Sequence, residues 1–282
     1  MGCPCEIRAE ADGPVTRALR EAVAEVRRLD RTYSRWLPDS PWLRSLRAAR
    51  SRRGAVLEDE TLHLLRYALD AWRFTEGYFH PALLPLWRYW NRTGRSDAAR
   101  VQALLQGCDP SRLHLHGRRL WLVDGLEPDL DGLVKEYAVD RALEVLVRHL
   151  PAARSLVVNL GGDVRVAGCQ PARVGIVAMG GEPLSLLLRD RALASSGTRE
   201  RGRYIGGRWF SHLIHPGSGW PLTGRALQLS VCAPTCLLAG TLSTAALLMG
   251  RRRGMAWLQA MDVPFLWQRG VNRWSYRWND GA

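Results

Sequence analysis

The sequence predicts an α+β fold, and three observations carry that expectation. Stretches with strand character cluster together instead of alternating one for one with helices, which argues against a doubly wound parallel sheet. Several long windows space their apolar residues at a helical period. Two segments, "RLHLHGRRLWLV" and "SLVVNLGGDVRVAG", read as strand, turn and strand. The architecture expected is therefore mixed or antiparallel sheets with flanking helices.

Taken in order, "CEIRAEA" alternates as a first strand, and Val15 to about Tyr33 is an amphipathic helix. "YSRWLPDSPW" is a loop, because its two prolines oppose continuation of the helix. "DETLHLLRYALDAWRFTEG" is a second helix with an acidic start and Gly77 as its C-terminal cap. "YFHPALLPLWRYWN" turns back through two prolines, residues 97–106 form a short helix, and a hairpin turns near Gly117. The helix from about Leu133 to Leu150 has Leu133, Val134, Tyr137, Ala138, Leu143, Val145 and Leu146 at helical spacing. After the "NLGGD" turn, "RVGIVAM", "PLSLLLRD" and "RALASSG" add strands, and "WFSHLIHPGSGWPL" and "RALQLSVCAP" continue the sheet. "CLLAGTLSTAALLMG" is a small-residue helix capped by Gly250, and "GMAWLQAM" and "VPFLWQRG" end the chain with a helix and a strand. No internal repeat and no Pro/Ser-rich linker divides the chain, so residues 1–282 are expected as one domain.

Composition narrows the function. The chain is 46% hydrophobic and 24% charged, enough apolar content and length for a sizeable core. No apolar run approaches the ~18 residues of a membrane span. The start "MGCPCEIRAE" lacks a basic segment followed by an apolar core, so the chain as written is expected in the cytoplasm, or outside it if a leader precedes Met1. The net charge of +13 comes almost entirely from arginine, in runs such as "RAARSRR", "RERGR" and "GRRRG". These arginines are dispersed and have no aromatic RNA-binding signature beside them. A coding bias toward arginine explains them better than a nucleic-acid partner. Lys135 is the only lysine. The six cysteines form no Cys-x-x-Cys pair and have no zinc-like spacing with histidine, so they read as reduced core thiols.

That single lysine lies in "DLDGLVKEYAVDR", residues 129–141. Acids at the head of a helix suit the positive end of its dipole, and that is a sufficient structural explanation. The sharper explanation is a ligand-holding turn, with backbone amides and Lys135 facing phosphate and a carboxylate facing sugar or metal. The common nucleotide motifs are missing: no G-x-G-x-x-G after a strand, no Walker loop, no His-Glu-x-x-His.

In order along nearly the whole chain, the fragments resemble the FAD:protein FMN transferases, the ApbE family. "MGCPCEI" looks like the family's opening Met-Gly-Thr strand, "YSRWLPDS" its Ser-x-Tyr-x-Pro-x-Ser loop, and "TEGYFHPALLPLW" its Gly-Ala-Phe-Asp-Pro segment. "DLDGLVKEYAVDR" is similar to Asp-Leu-Gly-Gly-Ile-Ala-Lys-Gly-Tyr-Ala-Val-Asp, "NLGGDV" to Asn-Leu-Gly-Gly-Asp, and "LASSGTRER" to Ala-Thr-Ser-Gly-x-Tyr-Glu-Arg. "SHLIHPGSGWP" resembles Ser-His-Ile-Ile-Asp-Pro-x-Thr-Gly-x-Pro, and "APTCLLAGTLSTAALLMG" the family's last small-residue helix.

The resemblance implies an enzyme that binds FAD, with Mg²⁺ bridging the pyrophosphate. It transfers FMN to a Thr or Ser hydroxyl of an acceptor flavoprotein and releases AMP, a reaction in which positioning and charge neutralisation carry most of the catalysis. The implied FAD contacts are Met1, Trp36, Tyr78, Phe79, His80, Asp129, Lys135, Asn159, Gly161, Gly162, Asp163, Ser196, Gly197 and His212. His212 matches the histidine proposed to act as base on the acceptor hydroxyl. The implied metal positions are the Gly132 carbonyl, Thr244 and position 240, where the family's Asp is replaced by Gly240. His80 and His215 also stand where the family has Asp, and Trp36 where it has Tyr. Losing a carboxylate weakens a site that prefers oxygen ligands, leaving Thr241 and Ser243 as neutral neighbours. Restoring aspartate at 240 is accordingly expected to lower the Mg²⁺ requirement. The alternatives are FAD hydrolysis at the same site and a flavin-binding module without catalysis.

Overall fold

The alternating first stretch forms β1 (Cys5–Glu10) and the amphipathic segment after it α1 (Thr16–Tyr33) in the computed structural model, which describes residues 2–92, 97–177, 183–270 and 274–277. Then come α2 (Pro41–Ala49), β2 (Ala55–Val56), α3 (Asp59–Phe74), α4 (Leu84–Arg92), α5 (Ala98–Gly107), β3 (Leu113–His116), β4 (Arg119–Leu122) and α6 (Asp131–His149). Strands dominate the next stretch: β5 (Ser155–Leu160), β6 (Asp163–Ala167), β7 (Ala172–Ile176), β8 (Leu184–Leu188) and β9 (Ala192–Gly197). β10 (Gly202–Ile205), β11 (Arg208–Ile214), β12 (Pro221–Thr223) and β13 (Leu227–Ala233) follow. The chain closes with α7 (Cys236–Met249), α8 (Arg251–Ala260), β14 (Phe265–Arg269) and β15 (Trp274–Arg277). The strand pairs described are antiparallel, so the class is α+β with antiparallel sheets, as expected.

Two expectations about proline are corrected. "YSRWLPDSPW" is not all loop, because Pro41 opens α2 and the Ser40 hydroxyl caps it by accepting the Leu43 N–H at 3.4 Å. Pro85 likewise falls in the first turn of α4. A first-turn residue has no intrahelical N–H bond to lose, so proline starts a helix as readily as it ends one. At the end of α3, Gly77 adopts φ +85° and returns its N–H to the Trp72 carbonyl at 2.7 Å, the expected cap.

The chain divides into two compact units. The first comprises Met1–Asp30, Leu133–Gly197 and Ala226–Ala282; the second comprises Arg31–Gly132 and Thr198–Arg225. Two of the divisions fall inside α1 and α6, which explains why no linker marks them in the sequence.

The first unit is built on a sheet in the order β1-β5-β6-β9-β13-β14-β15, beside a β7-β8 ribbon. Val157, Val164, Val166, Leu193, Cys232 and Leu266 from its strands share one apolar core with Ala172, Val174, Ile176 and Leu188 of the ribbon. Helix α7 packs on β9 and β13. Its start is pinned by Asp140 of α6, whose carboxylate accepts the Cys236 and Leu237 N–H groups at 2.8 and 2.9 Å and meets Arg165 at 3.0 Å. A carboxylate at a helix N-terminus satisfies two orphan donors and complements the dipole.

In the second unit, Leu86, Trp90, Val101, Cys108, Ile205, Phe210 and Ile214 form the core between α4, α5 and the β10-β11-β12 sheet. Trp90 stacks on Phe210 with centroids 5.7 Å apart and donates its indole N–H to the Gly219 carbonyl at 2.8 Å.

Cys108, Cys232 and Cys236 are buried free thiols, as expected, whereas Cys5 and Cys169 are exposed. Among the described residues, no helix is long and apolar enough to cross a membrane.

Candidate active site

In the first unit, Lys135 sits in the second turn of α6 and its ammonium pairs with Asp163 at the start of β6. Asp163 is 2% exposed, and its other oxygen accepts the Ser195 N–H of β9 at 3.1 Å. It therefore acts on Lys135 and on the sheet, with little surface left for a ligand of its own. The "NLGGD" segment before it is a two-residue turn between β5 and β6. Gly161 (φ +64°) and Gly162 (φ +93°) supply the two positive φ values that such a turn demands, and the Asn159 side chain accepts the Gly162 N–H at 2.9 Å. A Cβ on Gly161 would also stand 2.8 Å from that of Cys3, so the chain approaches too closely for any larger residue. Met1 lies outside the described residues.

A set of oxygens gathers around α7. The Ser196 hydroxyl of β9 bonds the Ser243 hydroxyl at 2.8 Å and the Thr244 hydroxyl at 2.9 Å, and Ser243 donates to the Gly240 carbonyl at 3.1 Å. Gly197 ends β9 next to this cluster, and a Cβ there would stand 3.1 Å from the Leu227 carbonyl. Against Gly240 lies Glu136, one of whose carboxylate oxygens is buried without a hydrogen-bond partner among the described residues. Hydroxyl, carbonyl and carboxylate oxygens are the donors that a hard divalent cation takes, so these residues fit Mg²⁺ chemically. Among the described residues no three His, Cys, Asp or Glu side chains group as ligands, so any cation here has few charged protein donors.

In the second unit Asp129 and Asp131, the acids at the head of "DLDGLVKEYAVDR", are held by Arg35. Its guanidinium reaches Asp129 at 2.8 Å and Asp131 at 2.8 Å, lies over the Trp87 ring at 4.1 Å, and is 5.3 Å from the Trp36 ring. Asp129 also accepts the Asp131 N–H at 3.0 Å at the head of α6. Burial raises the pKa of both carboxyls against the pull of Arg35. Asp131 is pushed up to about 7, first by burial and then by the charge on Asp129. Arg35 was not among the expected site residues. Nothing in its local sequence sets it apart from the other arginines, and only burial between two carboxylates and an indole does. Near where a Cβ on Gly132, next in α6, would be lies the Phe79 ring, 3.8 Å away.

Trp36 is 71% exposed, touching Trp87 edge-on at 6.0 Å, so an indole face is open to a planar ligand. Phe79 is 5% exposed and turned into the core, which leaves little ring for the contact expected of it. Tyr78 meets His215 edge-on at 5.7 Å.

His80, which stands where the resembled motif has Asp, makes a bond typical of Asp. Its Nδ1 accepts the Ala82 N–H at 3.2 Å, the bond an aspartate makes two residues ahead in a turn. Burial lowers its pKa to about 4, so the ring is neutral. His215 shapes its turn through its backbone, accepting the Ser218 and Gly219 N–H groups at 3.2 and 2.8 Å.

His212 lies on β11, and its Nδ1 is 3.1 Å from the Arg201 carbonyl. A carbonyl only accepts, so Nδ1 carries the proton and Nε2 is the basic nitrogen.

Comparison with known proteins agrees with this architecture. The structure superposes on the apo form of Pseudomonas stutzeri flavinyl transferase ApbE with a TM-score of 0.81 at 23% identity, covering 97% of this chain and 90% of that one. The fold is thus that of the flavin transferases. Two relatives named FAD:protein FMN transferase align with it. The Treponema pallidum protein is 28% identical over 92% of this chain and 79% of its own length, and the Vibrio cholerae protein 26% over 75% and 67%. The ApbE family profile matches residues 1–267, and the chain belongs to that family.

Proposed function

We propose that this protein transfers the FMN moiety of FAD to a Thr or Ser hydroxyl of an acceptor flavoprotein, with Mg²⁺ and release of AMP. The observation that carries the reading is Lys135. It is the chain's only lysine, stands at the motif's lysine, and is held in place by a buried carboxylate. An ammonium fixed in this way is suited to a pyrophosphate, whose charge it partly neutralises. Ser243 and Thr244 offer hydroxyls to the metal, and bound Mg²⁺ would supply further neutralisation of phosphate charge. Trp36 offers its open indole face to the flavin ring. In the transfer, the acceptor oxygen forms a bond to the FMN phosphorus and the P–O bond to AMP breaks, with the bridging oxygen leaving on AMP. His212 takes the hydroxyl proton at Nε2.

The test is mass spectrometry of a flavoprotein acceptor after incubation with FAD and Mg²⁺. A mass gain equal to FMN on a Thr or Ser is expected. Free FMN with AMP would replace the reading with hydrolysis, and intact FAD would replace it with binding alone.

A further inference from the structure

Glu136 occupies the space that a side chain at position 240 would need. A Cβ built on Gly240 falls 2.6 Å from Cγ of Glu136, 3.2 Å from its Cδ and 3.4 Å from Oε1. The Glu136 side chain is 12% exposed; Oε1 lies 3.4 Å from the Lys135 ammonium, while Oε2 is buried and has no hydrogen-bond partner among the described residues. A buried carboxylate oxygen left unpaired is costly, and it calls for a positively charged or donating partner. On α7 the neighbours of Gly240 on the same face are Ser243 and Thr244, three and four residues on. Their hydroxyls are tied together through Ser196, and the Gly240 carbonyl is tied to Ser243. The carboxylate that carries this spare oxygen thus packs, through Cγ, Cδ and Oε1, against the glycine of the helix whose Ser243 and Thr244 hydroxyls lie three and four residues on. That donor set suits a hard divalent cation.

We propose that Glu136 is the carboxylate ligand of this protein's divalent cation, serving from α6 in place of a side chain at position 240 of α7. The proposal rests on the FMN-transfer reading for the presence of the metal. The motif quoted above has glycine where this chain has Glu136, and the family's last helix has aspartate where this chain has Gly240. Carboxylate and glycine have exchanged helices. As Glu136 stands, the two side chains compete for one volume. On this proposal Gly240→Asp has the opposite outcome to the one the resemblance implies: with Glu136 as it stands, a new Cβ at 240 would meet its Cγ at 2.6 Å.

The probe is Mn²⁺, titrated by electron paramagnetic resonance against the full chain with and without FAD, with metal-free thermal melts on the same samples. Glu136→Gln, nearly isosteric, is expected to weaken Mn²⁺ binding by about tenfold or more. Gly240→Asp alone is expected to lower the melting midpoint without tightening Mn²⁺. The double variant Glu136→Gly with Gly240→Asp is expected to regain wild-type affinity within about threefold, and it carries the test if Glu136→Gln melts early. Wild-type affinity in Glu136→Gln overturns the proposal. So does a double variant no tighter than Glu136→Gln, or a wild-type protein that binds no Mn²⁺ in either condition. FMN transfer to an acceptor is read separately. Glu136-dependent Mn²⁺ binding without transfer defeats the transferase reading alone, and transfer with Mn²⁺ affinity independent of Glu136 defeats this proposal alone.

Discussion

Asp163 holds Lys135: the carboxylate, 2% exposed, takes the ammonium on one oxygen and the Ser195 N–H on the other. The pair links α6 to β6 and β9, so the residue proposed to meet pyrophosphate is also a structural tie.

Removing the lysine therefore has two expected consequences. Lys135→Ala leaves a buried carboxylate unpaired and should lower unfolding stability by about 3–5 kcal/mol. FAD binding should weaken as well, by about 1–3 kcal/mol, the size of a charge-assisted hydrogen bond. Urea melts and FAD fluorescence titrations measure the two separately. Pairing Lys135→Met with Asp163→Asn should recover much of the stability and none of the affinity. Full affinity in that folded double variant would remove Lys135 from the phosphate.

For His212, the loss should fall on turnover. His212→Ala is expected to slow FMN transfer by roughly 10²–10⁴-fold with FAD affinity unchanged, because the hydrogen bond to Arg201 fixes Nε2 as the proton acceptor. Flavin affinity and melting temperature falling together would instead mark a structural histidine.

His80 should make stability depend on pH. Its folded pKa of about 4 lies below the unfolded value of about 6.5, so the unfolded chain takes up the proton first. Stability from the neutral ring is present above pH 6.5 or so and is lost as pH falls toward 4, a decline of about 3 kcal/mol. His80→Asn keeps an acceptor for the Ala82 N–H and should flatten the curve over that window. Denaturant melts between these pH values show whether the two curves diverge.

The exposed indole of Trp36 gives the opposite pattern. Trp36→Ala should change stability by no more than about 0.5 kcal/mol. It should weaken FAD by about 0.5–1.5 kcal/mol if the ring stacks on the flavin. Trp36→Tyr should keep most of the affinity. Calorimetric titration of FAD would expose an indifferent Trp36 at once.

Much of this molecule is legible in one dimension because helical and strand periods are local. The apolar spacing after Leu133 placed α6 within about two residues of where it runs, and the glycines of "NLGGD" specified their own turn through φ alone. The ordered motifs were enough to identify the family, since each preserves a local shape in a set sequence. The prolines misled at α2 and α4, where the same missing N–H that breaks a helix interior is harmless in its first turn.

What only the tertiary structure decided is how space and charge are shared between distant segments. The sequence marks Lys135 as singular, but not that Asp163 holds it. It lists arginines without showing that Arg35 pairs with both Asp129 and Asp131. Its resemblance implies an aspartate replaced at 240, but the sequence does not show that the Glu136 side chain on another helix lies in that volume. Periodicity belongs to neighbours along the chain and survives as pattern. Occupancy of a buried volume is settled between side chains that meet only once the chain has folded.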